Sequence, residues 1–190
     1  MTGSGLALRA VRATAIFAAV FAASVCSAQG IVVKVDKSGQ RVVLDVEVLV
    51  DGSVSQAWSV FTDYEAMPSF LKNVTHSKVL TRRGDSLTVE QSGAATVAFM
   101  QFAFHAVRSV ELVPLQEIRS VMVSGSFKEY ASTTRFAPTD RGVLITHHGE
   151  YVPKSWLPPV IGPAIIESET RKQYQQFVAE IARRAAQKVR

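Results

Sequence analysis

The sequence predicts an α+β domain, a curved antiparallel sheet wrapped around one long C-terminal helix. Three observations predict it. Between residues 74 and 152 the chain runs through successive extended segments joined by short polar turns, the mark of an antiparallel meander. Only one extended segment and short helical pieces precede that run. After Pro163 there is neither Gly nor Pro up to Arg190, so a single long helix closes the chain.

The elements follow in order. Residues 29–40 read as a lead-in. In Arg41 to Val50, Val42, Leu44, Val46, Val48 and Val50 alternate with a mixed set containing Asp45 and Glu47, which describes a half-buried strand. Asp51-Gly52-Ser53 ends it, and Ser53 or Ser55 caps a short helix through its hydroxyl. That helix carries Trp58, Phe61 and Tyr64 and stops near Met67-Pro68. Val74 to Arg82 and Ser86 to Gly93 form a hairpin around Arg83-Gly84-Asp85. Val97 to Val113 reads as one long strand closed by Pro114, with Met100, Phe102, Phe104, Ala106, Val110 and Leu112 on one parity. Glu117 to Ser124, Phe127 to Ala137 and Val143 to Val152 complete the sheet. In the last helix Ile166, Thr170, Tyr174, Phe177, Val178, Ile181, Ala185 and Val189 make one stripe. At 1.5 Å per residue this helix is about 40 Å long, enough to cross a sheet.

Composition narrows the function classes. The 190 residues are 47% apolar and 19% charged, enough to bury a core and unlike a disordered chain. Arg9 and Arg12 form a positive leader, Ala13 to Val25 is an apolar run of about 13 residues, and Cys26-Ser27-Ala28 supplies small residues before a cleavage point. The run is shorter than the roughly 20 residues of a spanning helix. Residues 1–28 are therefore expected to be a cleaved signal peptide, with Gln29 beginning a periplasmic or secreted chain; a retained N-terminal anchor is the alternative reading. Val25 stands where a lipidation signal places Gly or Ala. Without Arg9 and Arg12, 19 basic residues remain against 16 acidic, a balance too mild to imply nucleic acid. Cys26 is the only cysteine, so the mature chain has no disulfide, thiol nucleophile or cysteine-bound metal.

Val54-Ser55-Gln56-Ala57-Trp58-Ser59-Val60-Phe61-Thr62-Asp63-Tyr64, followed by Met67-Pro68-Ser69-Phe70, resembles the opening of the polyketide cyclase/dehydrase and coenzyme Q-binding START-domain families of the START-like (SRPBCC) superfamily. Ser77-Lys78-Val79-Leu80 with Val89-Glu90-Gln91-Ser92-Gly93 is similar to their first hairpin. Val123-Ser124-Gly125-Ser126-Phe127-Lys128 resembles a step between two later strands, and Glu180-Ile181-Ala182-Arg183-Arg184 their final helix. The resemblance spans roughly residues 41 to 185. It implies a helix-grip fold enclosing a deep apolar cavity, in which relatives bind lipids, quinones, polyketides or plant metabolites and a minority catalyse cyclisation or dehydration. Where many relatives carry a Trp after the Gly125 step, this chain has Ser132-Thr133-Thr134, which implies a less bulky, more polar wall.

Candidate ligand-binding residues follow from that cavity. Trp58, Phe61, Tyr64, Phe70, Phe102 and Phe104 come from the first helical segment and the long strand. Met122, Tyr130, Thr134 and Phe136 come from the later strands. Ile165, Ile166, Thr170 and Gln173 lie in the first half of the gripping helix, where Thr170 and Gln173 offer hydrogen bonds to a head group. Each aromatic also fits a plain core role. Trp156 sits in Pro153 to Pro159, a proline-stiffened loop that reads either as a rim touching a membrane surface transiently or as a connection whose Trp packs on the domain. His147 and His148 are adjacent strand residues on opposite faces, so they do not share a metal, and no cofactor is expected. Asp63, Glu65 and Asp85 read as turn residues. Arg183, Arg184, Lys188 and Arg190 read as a solvated last turn or a contact with anionic lipid. The expected function is an exported protein that holds an apolar small molecule (a lipid, isoprenoid quinone or polyketide-like compound) for transport or sequestration. The alternative is a cyclase- or dehydratase-type enzyme using His105, His147 or Tyr130.

Overall fold

A computed structural model describes residues 30–97, 100–155 and 161–187. Eight strands among the described residues form one antiparallel sheet: β1 (Val32–Ser38), β2 (Arg41–Val50), β3 (Val74–Arg83), β4 (Ser86–Val97), β5 (Met100–Val113), β6 (Glu117–Gly125), β7 (Phe127–Thr139) and β8 (Gly142–Pro153). Their spatial order is β1-β2-β8-β7-β6-β5-β4-β3. The meander β3 to β8 is therefore joined back to β2 by the β2–β8 ladder, in which Val42 faces Tyr151 and Val50 faces Val143. Helix α1 (Val54–Phe61), a 3-10 turn (Tyr64–Ala66) and the single turn α2 (Met67–Phe70) bridge β2 to β3, and α3 (Pro163–Gln187) lies in the concave face.

Two expectations are corrected. The stretch read as a lead-in is a strand: β1 pairs with β2 from Val32 opposite Glu47 to Ser38 opposite Arg41. Gly39, at φ +59°, supplies the left-handed residue that this tight turn requires. The long strand expected from Val97 to Val113 begins at Met100: Val97 is the last residue of β4 and faces Met100, the first residue of β5. The other strand limits lie within two residues of expectation, except β4, which runs four residues beyond Gly93.

Local chemistry explains the helical pieces. Ser53 caps α1 with a full capping box: the Gln56 backbone N–H donates to Ser53 Oγ at 3.2 Å, and the Ser53 N–H donates to Gln56 Oε1 at 2.7 Å. The core then forms where α1 meets α3. Phe61 stacks on Phe177 with ring centres 4.2 Å apart and meets Phe136 edge-on at 5.3 Å, while Phe70 meets Phe177 at 5.7 Å. The buried side of α3 is Thr170, Tyr174, Phe177, Glu180 and Ile181.

Glu180 was not expected there, and its burial explains the basic cluster. It accepts from Arg183 and Arg184 at 2.7 Å, and Arg184 also donates to Asp63 at 2.9 Å. The hydrogen bond from Arg183, and then that from Arg184, outweighs the cost of burial and draws its carboxyl down to about 2. Arg184 and Asp63 therefore form a clamp between α3 and the end of α1 rather than a solvated last turn and a turn residue. Lys188 and Arg190 lie outside the described residues, as does the segment 1–28. No helix among the described residues is long and apolar enough to cross a membrane.

Candidate ligand cavity

The concave side of the sheet does not fill completely against α3. A cleft remains, built from the inward parity of each strand. Its inner chamber, about 320 Å³, lies between the β4–β8 wall and the middle of α3. An outer chamber of about 740 Å³ opens between the ends of β5 and β8 and the start of α3. Asn73, Phe104, Phe127, Tyr151, Thr170 and Gln173 line both, so the two adjoin.

The structure brings most of the expected residues to this cleft. Phe61, Tyr64, Phe104, Met122, Tyr130 and Thr134 line the inner chamber. Phe102, Ile165 and Ile166 line the outer one, and Thr170 and Gln173 stand where they join. Trp58, Phe70 and Phe136 do not face it. Trp58 packs edge-on against Phe136 at 5.4 Å, and both belong with Phe70 to the aromatic core. Helical spacing alone could not separate Trp58 from Phe61, because neighbouring positions of α1 serve both the cavity wall and the packing beside it. Trp156 lies outside the described residues, but Pro153, Lys154 and Ser155 of its loop border the outer chamber. Ser132 and Thr134 form part of the inner wall and make that stretch polar.

The histidines separate as strand geometry requires. His147 points inward and pairs its Nδ1 with Thr134 Oγ1 at 2.8 Å. Burial, reinforced by His148 and Arg108, lowers its pKa to about 4, so the ring is neutral at pH 7. His148 points outward to Asp45 at 2.7 Å, and that hydrogen bond raises its pKa. His105, offered as a catalytic partner, is instead on the outer surface with Glu90 at 3.0 Å. Glu150 is also outside, near Arg41 and His148. No acid–base pair of His147 with either of them forms.

Sequence reasoning missed the most distinctive member of the wall. Arg108 of β5 projects into the inner chamber, donating from Nη2 to Gln91 Oε1 and from Nη1 to Tyr130 Oη at 3.3 Å. Gln91 is itself buried and donates to Ser77 Oγ at 2.9 Å, which fixes its amide. Tyr130 Oη also contacts Ser132 Oγ at 3.0 Å. A signal was present: Arg108 occupies the one gap in the apolar even-numbered series from Met100 to Leu112.

The family model for "Polyketide cyclase / dehydrase and lipid transport" proteins matches residues 50–178. The chain belongs to that family. Solved structures carry the same START fold at low identity. An aromatase/cyclase, Zhui, from a Streptomyces species is 13% identical, with a TM-score of 0.62 over 79% of this chain and 96% of its own. A STAR-related lipid transfer protein from Xanthomonas axonopodis is 11% identical, with a TM-score of 0.62 over 81% and 99%. A START superfamily protein from Mycobacterium smegmatis is 16% identical, with a TM-score of 0.56 over 76% and 97%. No curated protein matches the sequence. The family match begins at the last residue of β2, so β1 and most of β2 lie outside it.

Proposed function

We propose that the protein is exported and holds one apolar small molecule in this cleft, for transport or sequestration. The observation that carries the reading is the cleft itself: two adjoining chambers between sheet and helix, with no carboxylate on the inner wall among the described residues. Burial is the mechanism, at about 25 cal/mol per Å² of apolar surface removed from water, and the few polar groups orient the ligand. We take the ligand to be a lipid, isoprenoid quinone or polyketide-like compound; the lipid-transfer and cyclase relatives support the first and the last of these. Export rests on the leader pattern in residues 1–28. Lys72 and Lys154 at the outer chamber support transient contact with an anionic membrane during loading, each worth about 1 kcal/mol near such a surface.

Titration with an apolar fluorophore tests the binding reading. Saturation at one molecule per chain is expected, and Ser132→Trp, which fills the inner chamber, should abolish it. Binding left unchanged by Ser132→Trp would refute the reading. Export is tested by N-terminal sequencing of the protein recovered from the periplasm or medium, which should begin at Gln29.

A cyclase-type reading keeps one observation in its favour, a neutral imidazole at pH 7 facing Thr134 inside the cavity. It predicts turnover of a polyketide-like substrate that His147→Phe abolishes while ligand retention persists. The binding reading predicts no turnover.

A further inference from the structure

Arg108 is a cation placed where the rest of the wall is neutral. Among the described residues it makes no salt bridge with any carboxylate, and none lines the inner chamber. A guanidinium stays charged in any protein environment, and a charge drawn out of water without a counter-charge is costly. The chain nevertheless builds a support for it. Gln91, held by Ser77, takes one N–H, and the Tyr130 ring lies 5.7 Å from the guanidinium carbon. The sheet contributes as well. The β5–β6 register shifts between Val107, opposite Ser124, and Arg108, opposite Met122. This bulge puts an extra residue, Val123, on the outer surface and keeps Arg108 and Met122 together on the inner one.

A second observation lies two residues along β6. Ser120 is 5% exposed and lines the same chamber, and its Oγ has no hydrogen-bond partner among the described residues. A buried hydroxyl of this kind normally finds a partner. Together with the Tyr130 hydroxyl it offers donors beside the guanidinium.

We infer that the cavity is built for an apolar acid whose carboxylate enters head first, is held by Arg108 and lies within reach of Ser120 and Tyr130, while the hydrocarbon body extends through the outer chamber to the mouth. This inference rests on the binding reading and narrows its ligand class. One guanidinium matches one planar carboxylate, two oxygens to two N–H groups. A phosphate monoester carries nearly two charges at pH 7, and the inner chamber offers no second cation, since His147 is neutral there. The apolar outer wall, with Phe102, Ile161, Ile165 and Ile166, receives the body of the molecule.

The test uses the purified protein stripped of bound lipid, with displacement of an apolar fluorophore at pH 7.5. Two matched pairs compete: dodecanoate against dodecanol, and 2-naphthoate against 2-naphthol. In at least one pair the acid should bind at least about tenfold more tightly than the alcohol, as expected for a charge-assisted pair in a partly desolvated site. Arg108→Gln should erase that preference, the acid losing at least about tenfold more affinity than the alcohol, while Arg108→Lys should retain part of it. If Arg108→Gln does not fold by circular dichroism, the wild-type ratio and the Arg108→Lys ratio decide. Equal binding of acid and alcohol in both pairs, or a preference that survives Arg108→Gln, overturns the inference and leaves the binding reading standing. Failure of the fluorophore and all four compounds to bind overturns both.

Discussion

At the scale of single residues, two positions show how backbone and burial dictate chemistry. Gly125 ends β6 at φ +137°, and a Cβ there would lie 2.2 Å from the His105 carbonyl oxygen. Gly125→Ala should therefore destabilise the fold by roughly 2–4 kcal/mol in denaturant unfolding, since both the backbone angle and the space forbid a side chain. Gly30→Ala, with nothing within 4 Å, should be silent. His147 gives the pH prediction. Its pKa is lower folded than unfolded, so the unfolded chain binds the extra proton between about pH 6.5 and 4. Stability from this group is full above pH 6.5 and falls as the pH drops toward 4. By NMR the His147 ring should stay neutral from pH 8 to 5.5, while His148, raised by Asp45, titrates above the usual histidine value. Much of this scale was readable beforehand: the opposite faces of His147 and His148 follow from strand parity. Arg108 and Gln91 were not, because a polar side chain on an apolar parity reads as an interruption, although Gln91 continues the inward series of Leu87 and Val89; Ser120 lies in a strand whose two parities are both mixed.

At the scale of elements, periodicity placed seven of the eight strands and the long helix. It failed where the signal was short or continuous. In β1 only Val33 and Val35 alternate with Lys34 and Asp36, and the hairpin with β2 becomes visible only through the pairing. Between β4 and β5 both arms are apolar, so nothing in composition marked the reversal. Helix α3 is held by two devices of different kinds. Phe177 is 7% exposed and touches the rings of Phe61, Phe70 and Tyr174, so Phe177→Ala should cost about 3–5 kcal/mol. Glu180 draws its carboxyl down to about 2 through Arg183 and Arg184. Its stabilisation is complete above the unfolded carboxyl value near 4.5 and lost as the pH falls toward 2. Glu180→Gln should flatten that acid limb of the stability profile, and a mutant limb as steep as wild type would contradict the assignment.

At the scale of the whole molecule, the sheet curves around α3 without filling the space between them, and the unfilled volume is the cavity in which the proposed ligand sits. The aromatic core of Trp58, Phe61, Phe70, Phe136 and Phe177 closes one end and leaves the Arg108 chamber and the lysine-flanked mouth at the other. The resemblance read from the sequence foresaw a cavity between sheet and helix and part of its apolar lining, but not Leu44, Ile118 or Tyr151. It could not divide core from wall on a shared helical face, nor find the charge at the bottom. Occupancy should raise the melting temperature with ligand concentration, because only the folded state has the cavity. The central claim is most directly tested by native mass spectrometry of the protein purified from the compartment in which it accumulates, with extraction and identification of whatever is bound. The account predicts one apolar molecule per chain, released on unfolding. A chain that is consistently empty, and remains so after exposure to lipids, quinones and long-chain acids, would contradict it.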